Sequence, residues 1–319
     1  MIMEPVEGGR DTVVVVTRKT RLEELIERFG TRGQARFYIE HAGGDFSDYV
    51  TEDDSYRRAL EPILRLDELG LRLLRIDRAM LPTYLFTPRE VVVAVGQDGL
   101  VANTAKYTLE QPLLGVNPDP TRFDGVLLPF SPARTREAVR RVLEGKASSL
   151  RVTLAEAQLA DGQRLLAFND LFIGQRSHVS ARYRIRAGEQ AEAQSSSGVV
   201  VSTGAGSTGW LSSICTMARR VARFTGVVER ERPDSGALRM RWDDPRLAFV
   251  VREPFASQRT GTAIAAGYLE PGQRLVLESL MPAGGVVFSD GIESDFMAFD
   301  TGAVATVAAS AQSAHLVVS

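Results

Sequence analysis

The sequence is poor in the residues that metal and redox chemistry most often use. Of 319 residues, one is cysteine and three are histidine. Cys215 has no second thiol to pair with, which excludes an internal disulfide framework and fits a reducing compartment. His41, His178 and His315 lie far apart along the chain, so neither a zinc cluster nor a His-based triad finds support. Excess charge is also missing. Lys plus Arg total 38 against 40 for Asp plus Glu, a net charge of -2. That balance offers no electrostatic case for nucleic acid or an anionic membrane surface as partner. No apolar run approaches the ~20 residues a membrane-spanning helix needs. The opening residues are acidic and carry no apolar signal core, so a cytoplasmic location is expected. Internal repeats and low-complexity linkers are absent.

What is present is a globular composition, 44% hydrophobic and 24% charged, long enough for two domains. The stretch Val91–Leu100 reads VVVAVGQDGL. An apolar, mostly β-branched run closed by glycines predicts a strand buried on both faces, as in a parallel sheet. Thr12–Thr17 predicts a second such strand. Leu22, Leu25, Ile26 and Phe29 recur at helical spacing, and Gly30 can end that helix. Ala35–Ile39 predicts a short strand, followed by a loop at Gly43-Gly44-Asp45. Residues 54–69 predict a helix interrupted at Pro62, residues 100–107 a helix after the central strand, 111–117 a buried strand and 134–143 a helix. Beyond about residue 148 the texture changes to short apolar runs separated by Gly, Pro and Asp, which predicts an antiparallel sheet or sandwich. One helix interrupts, over about 207–224, with Leu211, Ile214, Met217, Ala218 and Val221 spaced for burial. The expected fold is an α/β N-terminal domain with a mostly parallel sheet over 1–147. A C-terminal β-rich, sandwich-like domain follows over 148–319, its last strand free to return to the first domain.

Four stretches carry residues suited to chemistry. In Gly96-Gln97-Asp98-Gly99, one carboxylate stands between glycines at a strand end. Phosphoryl transfer needs backbone N–H groups around its oxygens and a carboxylate for the acceptor's proton or for Mg²⁺; a plain helix-capping turn has the same composition. Asn169 and Asp170 end another apolar run, where an amide beside a carboxylate can read a sugar or a base edge, or sit at a bulge. Residues 199–210 run from an apolar strand through Ser202, Thr203, Gly204, Gly206, Ser207 and Thr208 to Trp210. This glycine-rich hydroxyl loop before a helix lacks the Lys and glycine spacing of the common phosphate loops. It can bind a nucleotide or simply cap a helix. Asp290-Gly291 is a turn between strands.

In order and rough spacing, from about residue 12 to 310, these stretches resemble the NAD kinase family. The family's Gly-Gly-Asp-Gly turn resembles Gly96-Gln97-Asp98-Gly99. Its Pro-Leu-Gly-Ile-Asn strand end resembles Pro112-Leu-Leu-Gly115-Val-Asn117, and its Ala-Leu-Asn-Glu end resembles Ala167-Phe168-Asn169-Asp170. Its Thr-Gly-Ser-Thr-Ala-Tyr loop resembles Ala205-Gly206-Ser207-Thr208-Gly209-Trp210, and its late Asp-Gly turn resembles Asp290-Gly291. The resemblance implies an active site in a cleft between the two domains, ATP or another phosphoryl donor with Mg²⁺, and a homo-oligomer. It implies Asp98 as general base, with Gly96, Gln97, Gly99 and Asn117 lining the site. Asn169 and Asp170 would hold the acceptor's ribose or base. Thr203, Gly206, Ser207, Thr208, Trp210 and Asp290 would line the nucleotide. The departures lie on the acceptor side. Gln97 replaces a glycine, Ser197 replaces an expected aspartate, and Pro118-Asp119-Pro120-Thr121-Arg122 replaces a glycine-leucine-glycine stretch. They leave open a kinase for a sugar or lipid-like alcohol, and a nucleotide-binding regulator without catalysis.

Overall fold

A computed structural model describes residues 3–5, 9–108, 110–227 and 238–318, save the side chains of 3–5 and 294. The chain divides into two compact units. One comprises Ile2–Leu150 with His315–Ser319, the other Arg151–Ala314.

The first unit carries β1 (Met3–Pro5), β2 (Thr12–Thr17), α1 (Arg21–Phe29), α2 (Arg32–His41), α3 (Phe46–Ile63), β3 (Arg72–Asp77), β4 (Glu90–Val95), α4 (Asp98–Ala105), β5 (Pro112–Val116) and α5 (Pro132–Leu143). Its sheet runs in the order β5-β4-β2-β3, all parallel. Every residue of β2, β4 and β5 is buried, as the unbroken apolar runs predict. Val13, Val15, Val91, Val93 and Val95 face a core closed by Tyr56, Leu60, Ile63, Val139 and Val142. α1 starts on a reciprocal cap. The Thr20 hydroxyl accepts the Glu23 N–H, and the Glu23 carboxylate accepts the Thr20 N–H.

Two expectations, the strand at Ala35–Ile39 and the start of the helix over 54–69, are corrected here. Ala35–Ile39 lies inside α2, because Ala35 and Ile39 are buried four residues apart on one helical face. Gly43-Gly44-Asp45 is the expected loop, and Asp45 closes it. Its carboxylate accepts the Ser47 N–H at 2.8 Å and starts α3. The interruption expected at Pro62 is a break, with α3 ending at Ile63 and a single 3-10 turn following at Leu66–Leu69, but the helix begins at Phe46 rather than at residue 54.

The second unit takes β6 (Ser148–Leu159), β7 (Arg164–Ala167), β8 (Asp170–Gln175), β9 (Ala181–Ala187), β10 (Gln190–Ser196), β11 (Val199–Ser202), α6 (Trp210–Phe224), β12 (Leu247–Val251), β13 (Ala266–Leu269), β14 (Leu275–Ser279), β15 (Gly285–Ser289), β16 (Ile292–Ala298) and β17 (Val304–Val318). One antiparallel sheet has the order β13-β12-β11-β8-β15-β16. A second antiparallel set is β10-β9-β14-β17, with β6 and β7 attached. Alternate residues of both sets, among them Tyr183, Ile185, Leu277, Val307, Leu171, Ile173, Val201 and Phe249, form one buried cluster. This is the core of a sandwich. α6 buries only Leu211; Met217 and Val221 are exposed, against the spacing-based expectation. No helix among the described residues is long and apolar enough to cross a membrane.

Candidate active site

In the first unit the site residues gather at the carboxyl end of β4. The Tyr56 hydroxyl accepts the Arg18 N–H at 3.1 Å and donates to the Val95 carbonyl at 2.9 Å. It thereby ties the ends of β2 and β4 together. Gly96 is buried and donates to the Val116 carbonyl at 3.2 Å. Gln97 has φ -97° and is exposed, so the turn demands no glycine there and the long side chain points away from the floor. Gly99 is exposed, and a Cβ there would meet nothing within 4 Å. Asp98 is the first residue of α4 and half-buried. Its Oδ1 accepts the Leu127 N–H at 2.6 Å. No described residue holds its other oxygen, so the carboxylate is anchored at one end and open at the other.

The Leu127 donor is delivered by the loop after β5. A Cβ on Gly115 would lie 1.9 Å from the Leu127 carbonyl oxygen, so only glycine lets that loop lie against β5. Asn117, given above as a site residue, is buried and occupied locally. Its amide donates to the Phe123 carbonyl at 3.0 Å, and its Oδ1 accepts the Asp119 N–H at 3.0 Å. Its place here is to shape the loop.

An ion-pair chain that sequence reasoning missed runs beside this turn. Arg18 and Arg21 both bind the buried Glu52 carboxylate, Arg18 at 3.0 Å. Arg21 also reaches Asp48 at 2.7 Å, and Arg122 reaches Asp48 at 2.5 Å. The Arg122 and Arg21 guanidiniums hold the Asp48 carboxyl down at about 2. The available signal was the basic run Arg18-Lys19-Thr20-Arg21 directly after a buried strand.

In the second unit a compact polar corner forms around Asp290. This residue has φ 53°, uncommon for a side chain larger than glycine's. Its carboxylate accepts the N–H groups of Phe168 at 3.0 Å, Asn169 at 2.6 Å and Asp170 at 3.2 Å. β7 and β8 are therefore separated by a turn at Phe168-Asn169. Thr203 donates its N–H to the Asn169 carbonyl at 2.9 Å and its hydroxyl to the Phe168 carbonyl at 2.6 Å. A Cβ on Gly206 would lie 2.2 Å from the Asn169 carbonyl oxygen, which explains the glycine. The Ser207 hydroxyl donates to the Gly204 carbonyl at 2.7 Å and accepts the Met240 N–H at 3.1 Å.

Asp290, Thr203 and Ser207 thus spend their polar atoms on the corner itself. What they leave available is the half-buried Asn169 amide, the exposed Thr208 hydroxyl and the buried Asp170 carboxyl. Asp170 Oδ1 has no hydrogen-bond partner. Burial, with a smaller contribution from the Asp290 charge, pushes the Asp170 carboxyl up to about 7 against the opposing Ser202 hydrogen bond. Trp210 is half-buried, stacked on Phe172 at 5.7 Å and 19°, with the Arg252 guanidinium 5.5 Å from its ring. These three residues, Phe288 and Phe296 line a cleft of about 270 Å³.

The structure therefore brings Gly96, Gln97, Asp98, Gly99 and Asn117 together in one unit. In the other it brings together Asn169, Asp170, Thr203, Gly206, Ser207 and Asp290, with Thr208 and Trp210 following at the start of α6. Among the described residues no three His, Cys, Asp or Glu side chains gather in a way that could hold a metal ion.

Comparison with known proteins bears on this arrangement. No protein-family model matches the chain. Mitochondrial NAD kinase 2 of Rattus norvegicus is 25% identical over 324 residues, covering 80% of this chain and 76% of the relative. NAD kinase of Chlorobium phaeobacteroides is 26% identical over 149 residues, covering 45% of this chain and 51% of the relative. Among solved structures, yeast NADH kinase complexed with NADH superposes with a TM-score of 0.57 over 98% of this chain and 84% of that one, at 15% identity, a likeness of fold. The ordered turns and these relatives agree: over most of its length the chain is similar to NAD kinases, at 24–26% identity.

Proposed function

We propose that this protein is a phosphotransferase that moves the terminal phosphoryl group of ATP to a hydroxyl of NAD or a closely related acceptor. The observation that carries the reading is the Asp98 carboxylate. One oxygen is fixed by the Leu127 N–H and the other is open, at the glycine-flanked end of a buried parallel strand. Asp98 takes the acceptor's hydroxyl proton while the acceptor oxygen bonds to the γ-phosphorus and the bridge to the β-phosphate breaks, leaving ADP. Asn169, with an uncommitted amide, and Asp170 serve the acceptor's ribose or base. Thr208 and Trp210 serve the nucleotide; Thr203, Gly206, Ser207 and Asp290 hold the loop that presents them.

Among the described residues no carboxylates gather into a cage for Mg²⁺. A Mg²⁺ ion would then be held mainly by the donor's phosphates and water, and would supply neutralising charge there. Ser197, exposed where the resemblance expects an aspartate, favours as a second reading an acceptor other than NAD, such as a sugar or lipid-like alcohol. A cytoplasmic homo-oligomer completes the proposal. The test is a transfer screen of labelled ATP against NAD, NADH, sugars and nucleosides. Label should appear on a dinucleotide, and appearance on a simple sugar alone would replace the acceptor named here.

A further inference from the structure

We propose that Arg122 is a positioning residue that fixes Asp98 through the loop it clamps. The inference rests on the reading of Asp98 as base. Residues 117–128 contain two prolines and belong to no helix or strand, yet their Leu127 N–H is the one described hydrogen bond to the Asp98 side chain. The loop cannot hold itself in place by ladder bonds, so something else must set its position relative to α4.

Two sets of ties do so. The first is internal to the loop and β5: the Asn117 side-chain bonds, the Asn117 N–H to the Phe130 carbonyl at 2.9 Å, and the Leu128 N–H to the Gly125 carbonyl at 3.0 Å. These shape the loop without locating it against the helices. The second is the Arg122 guanidinium, which reaches Asp48 at the start of α3 at 2.5 Å while also facing Asp119 at 3.4 Å. Asp48 is held in turn by Arg21 of α1, whose guanidinium shares the buried Glu52 carboxylate with Arg18 at the end of β2. Arg122 is therefore the point where the loop is referenced to α1, α3 and the carboxyl end of β2. The residues that replace the family's glycine-leucine-glycine stretch supply this clamp themselves. A planar guanidinium spanning two carboxylates fixes direction as well as distance.

The test uses the full-length protein with Arg122→Ala, Arg122→Lys and Asp48→Asn. The measurements are kcat and KM for ATP and for NAD, the melting temperature, and amide hydrogen exchange of the peptide containing Leu127. We expect Arg122→Ala to lower kcat about 10- to 100-fold with both KM values nearly unchanged, since misplacement of a reacting group by ~1 Å costs that much. Exchange at Leu127 should quicken without a matching fall in melting temperature. Asp48→Asn should act in the same direction, and Arg122→Lys should restore part of kcat and part of the protection. The proposal is overturned if Arg122→Ala keeps wild-type kcat, or loses kcat while Leu127 protection is unchanged. It is also overturned if the variant raises KM for ATP about tenfold at constant kcat, which would make Arg122 a substrate contact. Should the wild type transfer no phosphate at all, the reading of Asp98 fails by itself. The exchange comparison then still decides whether Arg122 sets the loop.

Discussion

Asp98 and Asp290 each precede a glycine at the end of an apolar run, and in the sequence the two Asp-Gly pairs look alike. In the structure they do opposite things. Asp98 keeps one oxygen open. Asp290 gives both of its oxygens to three backbone N–H groups of residues 168–170, more than a hundred positions away in the chain. No local pattern encodes partners at that separation, so the sequence alone does not show that the Asp290 carboxylate buttresses residues 168–170. Two outcomes separate the pair. Asp98→Asn should leave thermal stability intact and lower kcat by about 10²- to 10⁴-fold in the transfer assay. Asp290→Ala should instead cost stability, about 3 kcal/mol by urea titration, through three orphaned N–H groups. Asp290→Asn, which tolerates positive φ and keeps one acceptor oxygen, should cost less.

Asp170 adds a pH signature at the same scale. Its folded-state carboxyl is pushed up to about 7, above its unfolded value near 3.9. The folded state therefore binds the extra proton, so this contribution to stability is complete below the unfolded value, falls as pH rises, and is lost above about 7. Urea titrations across that window should show Asp170→Asn relatively more stable than wild type at the alkaline end. A difference that does not change with pH would contradict the assignment.

At the scale of elements, the fully buried strands were legible because an unbroken β-branched run has few other fates. Helix α2 was not. Its sequence, RGQARFYIEH, offers only two buried apolar positions, and β-prone Phe37, Tyr38 and Ile39 dominate a short window. The break between β7 and β8 was hidden for a different reason: the apolar character continues through Ala167-Phe168, and the turn is imposed by Asp290 from outside. Gly115 shows a close approach that the resemblance located and the packed Leu127 carbonyl explains. Gly115→Ala would drive a methyl group into the Leu127 carbonyl. Overpacking against backbone should cost about 2–3 kcal/mol in a denaturant titration and should reduce turnover as well, because Leu127 carries the donor to Asp98.

At the scale of the whole molecule, the chain's last strand is divided between the two units. β17 runs from Val304 to Val318. Its terminal residues His315 and Leu316 pair in parallel with β5, and Val317 enters the core of the first unit. Both tryptophans, Trp210 and Trp242, lie in the Arg151–Ala314 unit, so their fluorescence reports that unit alone. Deleting residues 315–319 should lower the urea midpoint followed by far-UV circular dichroism, to which helices α1–α5 contribute most, while leaving the fluorescence midpoint in place. A joint shift of both midpoints would show that the strand's end supports the two units equally.

The most direct measurement of the central claim is transfer of label from γ-labelled ATP to NAD by the full-length protein and by Asp98→Asn, compared at equal concentration. The account predicts a phosphorylated dinucleotide from the wild type and, at the same substrate binding, its near-complete loss from the variant. Equal product from both proteins would contradict it.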